Sequence, residues 1–280
     1  MTARLHLDEL LEFLKEDVPS GDVTSDAIIP DVSCTAIIRA EQEGIIAGVA
    51  EATALFSHFG VSVNTGKPDG APVVGGDVIL RLSGKAKAIL LVERTALNIM
   101  GRMSGIATAT HALAEVVRSV SPACRVAGTR KTCPGFRRFD KKAVLIGGGD
   151  PHRMNLSDGI LIKDNHLAVV PLEKAIRAAR EHSAYKKIEV EVESSADAVR
   201  AAEAGADIIM LDNMTPAQAK ETVSALGKHG LRDRVTIEVS GGINETTIRD
   251  YAGCGVDVIS MGSLTHTVRN FSLSLEILPA

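Results

Sequence analysis

The sequence predicts an α/β chain in two parts, an α+β segment over residues 1–110 and a β/α barrel over residues 111–265. Three observations point there. Between Ser33 and Gly84, short β-rich runs are punctuated by Gly and Pro, the mark of an antiparallel or mixed sheet. From Arg125 onward a strand-then-helix rhythm repeats six times, and alternating units with β-branched strands pair in parallel. No nucleotide-binding GxGxxG accompanies these strands, which favours a barrel over a doubly wound sheet. Six readable strands fall short of eight, so the barrel is expected to be irregular.

In chain order, LHLDELLEFLKED places Leu7, Leu10, Leu11 and Leu14 on one helical face,. It stops at Val18-Pro19-Ser20-Gly21, a cluster of helix breakers,. The runs CTAIIRAE, GIIAGV, VSVNTG and DVILRLSG read as strands. A long helix is expected over Ala86–Val120, with Leu90, Leu91, Ala96, Leu97, Met100 and Met103 on its buried side and Gly101 and Gly105 as interruptions. The barrel strands read as RVAGT, GILIKD, KIEVEVE, ADIIMLD, VTIEVSG and VDVISMG. Between them, Ser195 is expected to cap an Ala-rich helix that stops at Gly205, and Thr215-Pro216 supplies a cap followed by proline at the first helical position,.

Composition excludes several classes of function. Aromatic residues are 3% of the chain and Trp is absent, too few for a platform that stacks single-stranded nucleic acid. A net charge of -4 and a pI near 6.1 disfavour a phosphate-backbone binder,. Cys34, Cys124, Cys133 and Cys254 contain no CxxC, so neither a zinc pattern nor a disulfide framework is expected. With no apolar leader and no run of membrane-spanning length, the expectation is a cytoplasmic protein with no membrane partner.

Against that acidic background, residues 125–153 carry eight cations and two acids, a net of +6. A solvated basic helix face is the competing reading of such a run. Here, however, the cations stand beside turn residues in TRKT, PG, GGG and HR, where loops can bring several to one point. A field of one sign in a cleft concentrates ligands of the other sign, so a small, multiply charged anion is the expected guest.

In a β/α barrel the working groups lie at the carboxyl ends of the strands. Each barrel strand ends in polar residues: Arg130 and Lys131; Lys163, Asp164, Asn165 and His166; Glu191 and Glu193; Asp212 and Asn213; Ser240-Gly241-Gly242; and Gly262-Ser263. Loops without Cβ atoms after the last two strands let backbone N–H groups approach a phosphate, though a plain tight turn would look alike. Glu191 and Asp212, from neighbouring strands, suit sugar hydroxyls, Mg²⁺ beside a substrate phosphate, or salt bridges to Lys131 or Lys163. Glu189 and Glu193 share Glu191's face by the period of two, so spacing alone does not choose among the three. His152 beside Arg153 is either a donor in the anion pocket or a structural pair.

These residues carry a resemblance. EDVPSGDVTS, ERTALNIMGRMSGIAT, TRKTCPGFRRFDKKAV, GGGDPHR, LIKDNH, IEVEVES, IIMLDN, EVSGGI and VDVISMGSLTH are similar, nearly end to end and in order, to the quinolinate phosphoribosyltransferases. The resemblance implies an N-terminal open-faced α/β sandwich and a C-terminal β/α barrel, with the tail 266–280 returning to the first domain. It implies a quinolinate pocket of Arg130, Lys131, His152, Arg153 and Lys163, with Arg94 supplied by the partner subunit of a dimer or of a hexamer built from dimers. Glu191, the middle acid, and Asp212 would meet the ribose of phosphoribosyl pyrophosphate. Ser240, Gly241, Gly242 and Gly262 would hold its 5′-phosphate. Lys131, Lys163, Glu191 and Asp212 would be catalytic. Mg²⁺ would enter with phosphoribosyl pyrophosphate, reached by Glu191 and Asp212 through water, with no residue assigned as a direct ligand. Asp150-Pro151 stands where the family more commonly has Asn.

The implied reaction joins quinolinate to phosphoribosyl pyrophosphate, giving nicotinate mononucleotide, pyrophosphate and CO₂ on the way to NAD. Three competitors are weaker. A molybdenum-transport-associated relative shares fold and motifs, but the complete LIKDNH with its lysine favours the biosynthetic enzyme. Nicotinate phosphoribosyltransferase handles one carboxylate, fewer than this cation set suits. A non-catalytic phosphate-binding barrel would need no paired acids.

Overall fold

A computed structural model describes residues 7–279, and the chain divides into two compact units. One runs to Ala109 and takes in Leu145–Gly147 and the tail from Val268; the other comprises Thr110–Val144 and Gly148–Thr267.

The first unit opens with α1 (Leu7–Asp17), which buries Leu10 and Leu14. In α2 (Val23–Ile28) the Asp22 side chain accepts from the Thr24 and Ser25 amides, satisfying donors that a helix start leaves free. There follow β1 (Ser33–Ala40), β2 (Gly44–Ile45), α3 (Val49–His58), β3 (Ser62–Thr65), β4 (Pro72–Val73) and β5 (Val78–Lys85). The four-stranded sheet has the order β12-β1-β5-β3, where β12 is Leu273–Ile277. Every pairing in it is antiparallel, and β12 lies against β1 with Ala36 opposite Ile277. Ile38, Leu80, Leu82, Leu55 and Phe56 are buried within this unit.

Helix α4 (Ala86–Val120) runs for 35 residues without a break. Gly101 and Gly105 do not interrupt it, and close approach explains their presence. A Cβ at Gly105 would lie 2.1 Å from the Arg269 carbonyl oxygen, and one at Gly101 would lie 3.0 Å from that of Phe271. The returning C-terminal segment needs a helix surface with no side chain there.

The second unit contains β6 (Arg125–Ala127), α5 (Arg137–Ile146), β7 (Ile160–Ile162), α6 (Asp164–Leu167), α7 (Leu172–His182), β8 (Ile188–Val192), α8 (Ser195–Glu203), β9 (Ile208–Asp212), α9 (Pro216–Lys228), β10 (Thr236–Ser240), α10 (Ile248–Ala252), β11 (Val258–Ser260) and α11 (Ser263–His266). The six strands pair in parallel in the order β6-β11-β10-β9-β8-β7. On the outer edge of β6 the segment at Asp150 adds a parallel bridge to Ala127. The Gly128 amide donates to Asp150 O at 2.9 Å and the Asp150 amide to Val126 O at 2.8 Å.

Strand alternation fixes what faces inward. In β8, Ile188, Val190 and Val192 are buried, while Glu189 and Glu191 point to the other face, which lines the cavities of the barrel. The α8 cap is Ser194, one residue earlier than expected, and its hydroxyl accepts from the Asp197 amide. Thr215 caps α9 with Gln218 completing the capping box,. No helix among the described residues is long and apolar enough to cross a membrane.

Candidate active site

The carboxyl ends of the barrel strands surround a cavity of about 490 Å³. Its cationic wall holds Arg130, Lys131, His152, Arg153 and Lys163; its acidic groups are Glu191, Asp212 and Glu238; and Ser240, Gly241 and Gly242 close one side. All of these belong to the second unit.

The turn after β6 presents Arg130 and Lys131. Thr129 Oγ1 accepts from the Lys131 amide at 3.1 Å, and Thr265 Oγ1 donates to the Lys131 carbonyl at 2.8 Å. Both hydroxyls tie down backbone, so the two side chains project from a fixed base. Arg130 Nε is buried with no hydrogen-bond partner among the described residues, a costly state for a cationic donor. Burial and then the charge of Arg130 depress the pKa of Arg153. Two guanidinium groups that repel across a half-dry pocket are relieved by an anion between them.

On the far wall Lys163 Nζ donates to Glu191 Oε2 at 2.7 Å. The Asp212 carboxylate accepts from Asn213 Nδ2 at 2.6 Å. Burial, then the negative charge of Glu191, raises the pKa of Asp212, while Lys163 acts the other way. This side offers acceptors to hydroxyls, and it frees Lys163 for an anion when Glu191 finds another partner. Glu193 is exposed beyond the end of β8, whereas Glu189 is buried lower in the barrel.

The loop after β10 is shaped for backbone contact. Gly241 and Gly242 have φ values of 95° and 63°, a region that favours glycine. A Cβ on Gly241 would lie 2.2 Å from Asn213 Oδ1. Asn213 itself has φ 53°, and its amide donates to Ser240 O at 2.9 Å. Gly262 is packed instead against Lys131 Cδ and His266, each 3.0 Å from where a Cβ would be. Its lack of a side chain leaves room for Lys131.

Beneath the cations lies a cluster the sequence does not announce. His152 Nε2 is 3.3 Å from Glu238 Oε2 and 3.6 Å from Glu189 Oε2. The residue is held at φ 56°, a left-handed conformation that histidine, like Asn and Asp, adopts more readily than most side chains. The Asp150 carboxylate accepts from the His152 amide at 2.7 Å, a role an Asn would fill equally well. Lys141, 1% exposed, donates to the Pro151 carbonyl; burial, then Arg137, lowers its pKa to about 8.

Two influences oppose each other on the His152 ring. The Arg153 amide donates to Nδ1 at 2.7 Å, which a second ring proton would forfeit at about 1 kcal/mol. Burial also favours the neutral ring, but the bonds to Glu189 and Glu238 outweigh it and raise the pKa to about 10. A divalent ion fits this trio poorly, although its three ligand atoms lie within 4.8 Å of one another. Nε2 points its proton at the carboxylates, and the nearby charges of Arg130 and Arg153 would repel a metal.

Arg94 belongs to the first unit and is exposed on α4. The cavity thus gathers Arg130, Lys131, His152, Arg153, Lys163, Glu191, Asp212, Ser240, Gly241 and Gly242. Sequence reasoning passed over Glu238 and Ser260, which also line it. An acid in the middle of the apolar strand TIEVS was the available signal.

Known proteins give this arrangement its context. The family model described as quinolinate phosphoribosyl transferase, C-terminal domain, matches residues 106–276, and the N-terminal domain of the same description matches residues 22–104. A probable nicotinate-nucleotide pyrophosphorylase [carboxylating] from Methanothermobacter thermautotrophicus is 48% identical, covering 97% of this chain and 98% of its own. The Homo sapiens nicotinate-nucleotide pyrophosphorylase [carboxylating] is 38% identical over 95% of this chain and 89% of its own. The crystal structure of NadC from Streptococcus pyogenes, 39% identical, superposes with a TM-score of 0.90 over 97% of this chain and 96% of its own. Human nicotinic acid phosphoribosyltransferase, 13% identical with a TM-score of 0.61, shares the fold alone. With both domain models matched in order along its length, this chain belongs to the quinolinate phosphoribosyltransferase family.

Proposed function

We propose that this chain transfers the phosphoribosyl group of phosphoribosyl pyrophosphate to quinolinate, giving nicotinate mononucleotide, pyrophosphate and CO₂. The observation that carries the reading is the convergence of Arg130, Lys131, His152, Arg153 and Lys163 on one cavity at the barrel mouth. Two carboxylates, a phosphate and a pyrophosphate must share a small site, and cations fixed in advance offset that charge with little reorganisation. The partnerless Arg130 Nε and the mutual repulsion of Arg130 and Arg153 are both relieved by a dianion.

In the reaction the C1–pyrophosphate bond breaks as the pyridine nitrogen bonds to C1. Glu191 and Asp212 accept from the ribose hydroxyls, and Glu191 steadies positive charge developing on the sugar. Lys163, released from Glu191, and Lys131 meet the departing pyrophosphate. Ser240, Gly241, Gly242 and Gly262 hold the 5′-phosphate. The bond from the ring to the neighbouring carboxylate then breaks, CO₂ leaves, and the ring carbon takes a proton, its negative charge stabilised by the ring nitrogen cation.

Mg²⁺ fits the acidic wall, where Glu191 and Asp212 are separate carboxylates on neighbouring strands that can reach a hydrated ion through water. When bound, it neutralises pyrophosphate charge. Arg94, exposed on α4, completes the quinolinate pocket of a partner subunit in a homodimer or a hexamer built from dimers. The protein works in the cytoplasm.

The test offers quinolinate and nicotinate side by side with phosphoribosyl pyrophosphate and Mg²⁺. Nicotinate mononucleotide should form from quinolinate and not detectably from nicotinate. Equal use of both, or use of nicotinate alone, overturns the assignment.

A further inference from the structure

Below the substrate cavity the barrel holds a second hollow of about 330 Å³, lined by Glu189, Thr236 and Val258 among others. His152, Arg153 and Glu238 line both, so these three form the partition. Glu189 and Glu238 are 4% and 2% exposed. The Oε1 atom of each is buried without a partner among the described residues. Two ionised carboxylates this close to an anion pocket would repel the ligand the pocket is built to receive. A cation between them removes that conflict, and His152 is the group placed there, 3.3 Å and 3.6 Å from the two acids.

We propose that Glu189 and Glu238 are positioning residues for the transferase reaction, fixing the ring of His152 and its positive charge on the inner wall of the substrate pocket. The rest of the neighbourhood braces the same ring. Asp150 holds the His152 amide, Lys141 from α5 holds the Pro151 carbonyl, and the Arg153 side chain donates to Gly159 O at 3.4 Å. The charged groups facing this segment are Glu189 from β8, Glu238 from β10, Arg130 after β6, Lys141 from α5, and Asp150 and Arg153 beside the ring. Glu191 and Asp158 act on it through Arg153. Among the described residues, Glu189 and Glu238 are the acids that reach Nε2. The elevated pKa of the ring, about 10, agrees with this geometry.

The first readout is the imidazole resonance of His152 in the full-length protein, assigned by its loss in His152→Asn and followed from pH 6 to 9. The wild-type ring is expected not to titrate across that range. In Glu238→Gln its midpoint should fall towards about 6.5, the ordinary histidine value. The second readout is kinetic. The ratio of variant to wild-type KM for quinolinate should climb about tenfold between pH 6.5 and 8.5, as a group titrating near 6.5 loses its charge. The same ratio for phosphoribosyl pyrophosphate should stay level. A role confined to folding would lower Tm without moving either profile. Glu189→Gln serves if Glu238→Gln does not fold, and the wild-type titration decides if neither does. A wild-type midpoint near 6.5, or level ratios for both substrates, overturns the proposal. The ring titration needs no substrate, so its failure is separate from failure of the quinolinate assay.

Discussion

Removing Lys163 tests the charge logic of the site at its most exposed link. Lys163 Nζ and Glu191 Oε2 are 2.7 Å apart, with the lysine side chain 42% exposed and the glutamate 13% exposed. Stripping Lys163 from the charge pair it forms with the substrate anion costs about 2–5 kcal/mol. Solvent around the lysine argues for the lower half of that range. At about 1.4 kcal/mol per tenfold, a loss of ~2–3.5 kcal/mol is a fall of roughly thirtyfold to three hundredfold in kcat/KM. Lys163→Ala also withdraws a cation from Asp212, whose pKa burial and Glu191 already raise. The assay is steady-state kinetics with each substrate varied in turn, beside circular dichroism and thermal unfolding. Stability should change by no more than about 1 kcal/mol, because a partly exposed ion pair contributes little. Lys163→Arg should recover only part of the activity, since a planar fork does not reproduce a compact ammonium. Wild-type kinetics from Lys163→Ala, with the fold intact, would refute the placement of this cation at the reacting centre.

Three other substitutions test other parts of the site. Gly241→Ala puts a Cβ at φ 95° and 2.2 Å from Asn213 Oδ1, so it should cost about 1–3 kcal/mol of stability and raise KM for phosphoribosyl pyrophosphate, read by thermal melts and kinetics; an unchanged melt contradicts it. Asp212→Asn should raise Tm at neutral pH while activity falls. The sign follows from its raised pKa: the folded state holds the proton more tightly, so stability is greatest at low pH and declines as pH rises from 3.8 through the elevated value,; thermal melts of both proteins across pH 3 to 7 check it. Arg94→Ala and Lys163→Ala, each nearly inactive alone, should regain activity when mixed, because one site of a mixed dimer then carries neither change; no recovery after subunit exchange would place Arg94 outside a shared site.

Much of the fold was legible because periodicity states it directly. All six barrel strands were readable from β-branched runs bounded by polar ends, and Ala86–Val120 from its helical stripe. The glycines within that helix misled for a physical reason: their cause is the carbonyls of Phe271 and Arg269, about 165 residues away along the chain, which no local pattern contains. The one-residue shift from Ser195 to Ser194 at the α8 cap has a simpler origin, since adjacent serines offer the same hydroxyl. In the site, polar strand ends marked Lys163, Glu191 and Asp212, and loop glycines marked Gly241. Glu238 and the company of Glu189 were hidden because inward-facing acids on a buried strand make sense only once His152, from another loop, is seen between them. The choice of Glu191 for the cavity mouth likewise needed depth along the strand, which a period of two leaves undefined.

The measurement that bears most directly on the central claim uses quinolinate carbon-labelled in the carboxylate next to the ring nitrogen. Labelled CO₂ and pyrophosphate are followed together in the presence of phosphoribosyl pyrophosphate and Mg²⁺. One CO₂ is expected for each pyrophosphate, with neither released when either substrate is withheld. Pyrophosphate release without CO₂, or no turnover of quinolinate at all, would contradict a cage of Arg130, Lys131, Arg153 and Lys163 built around a pyridine diacid.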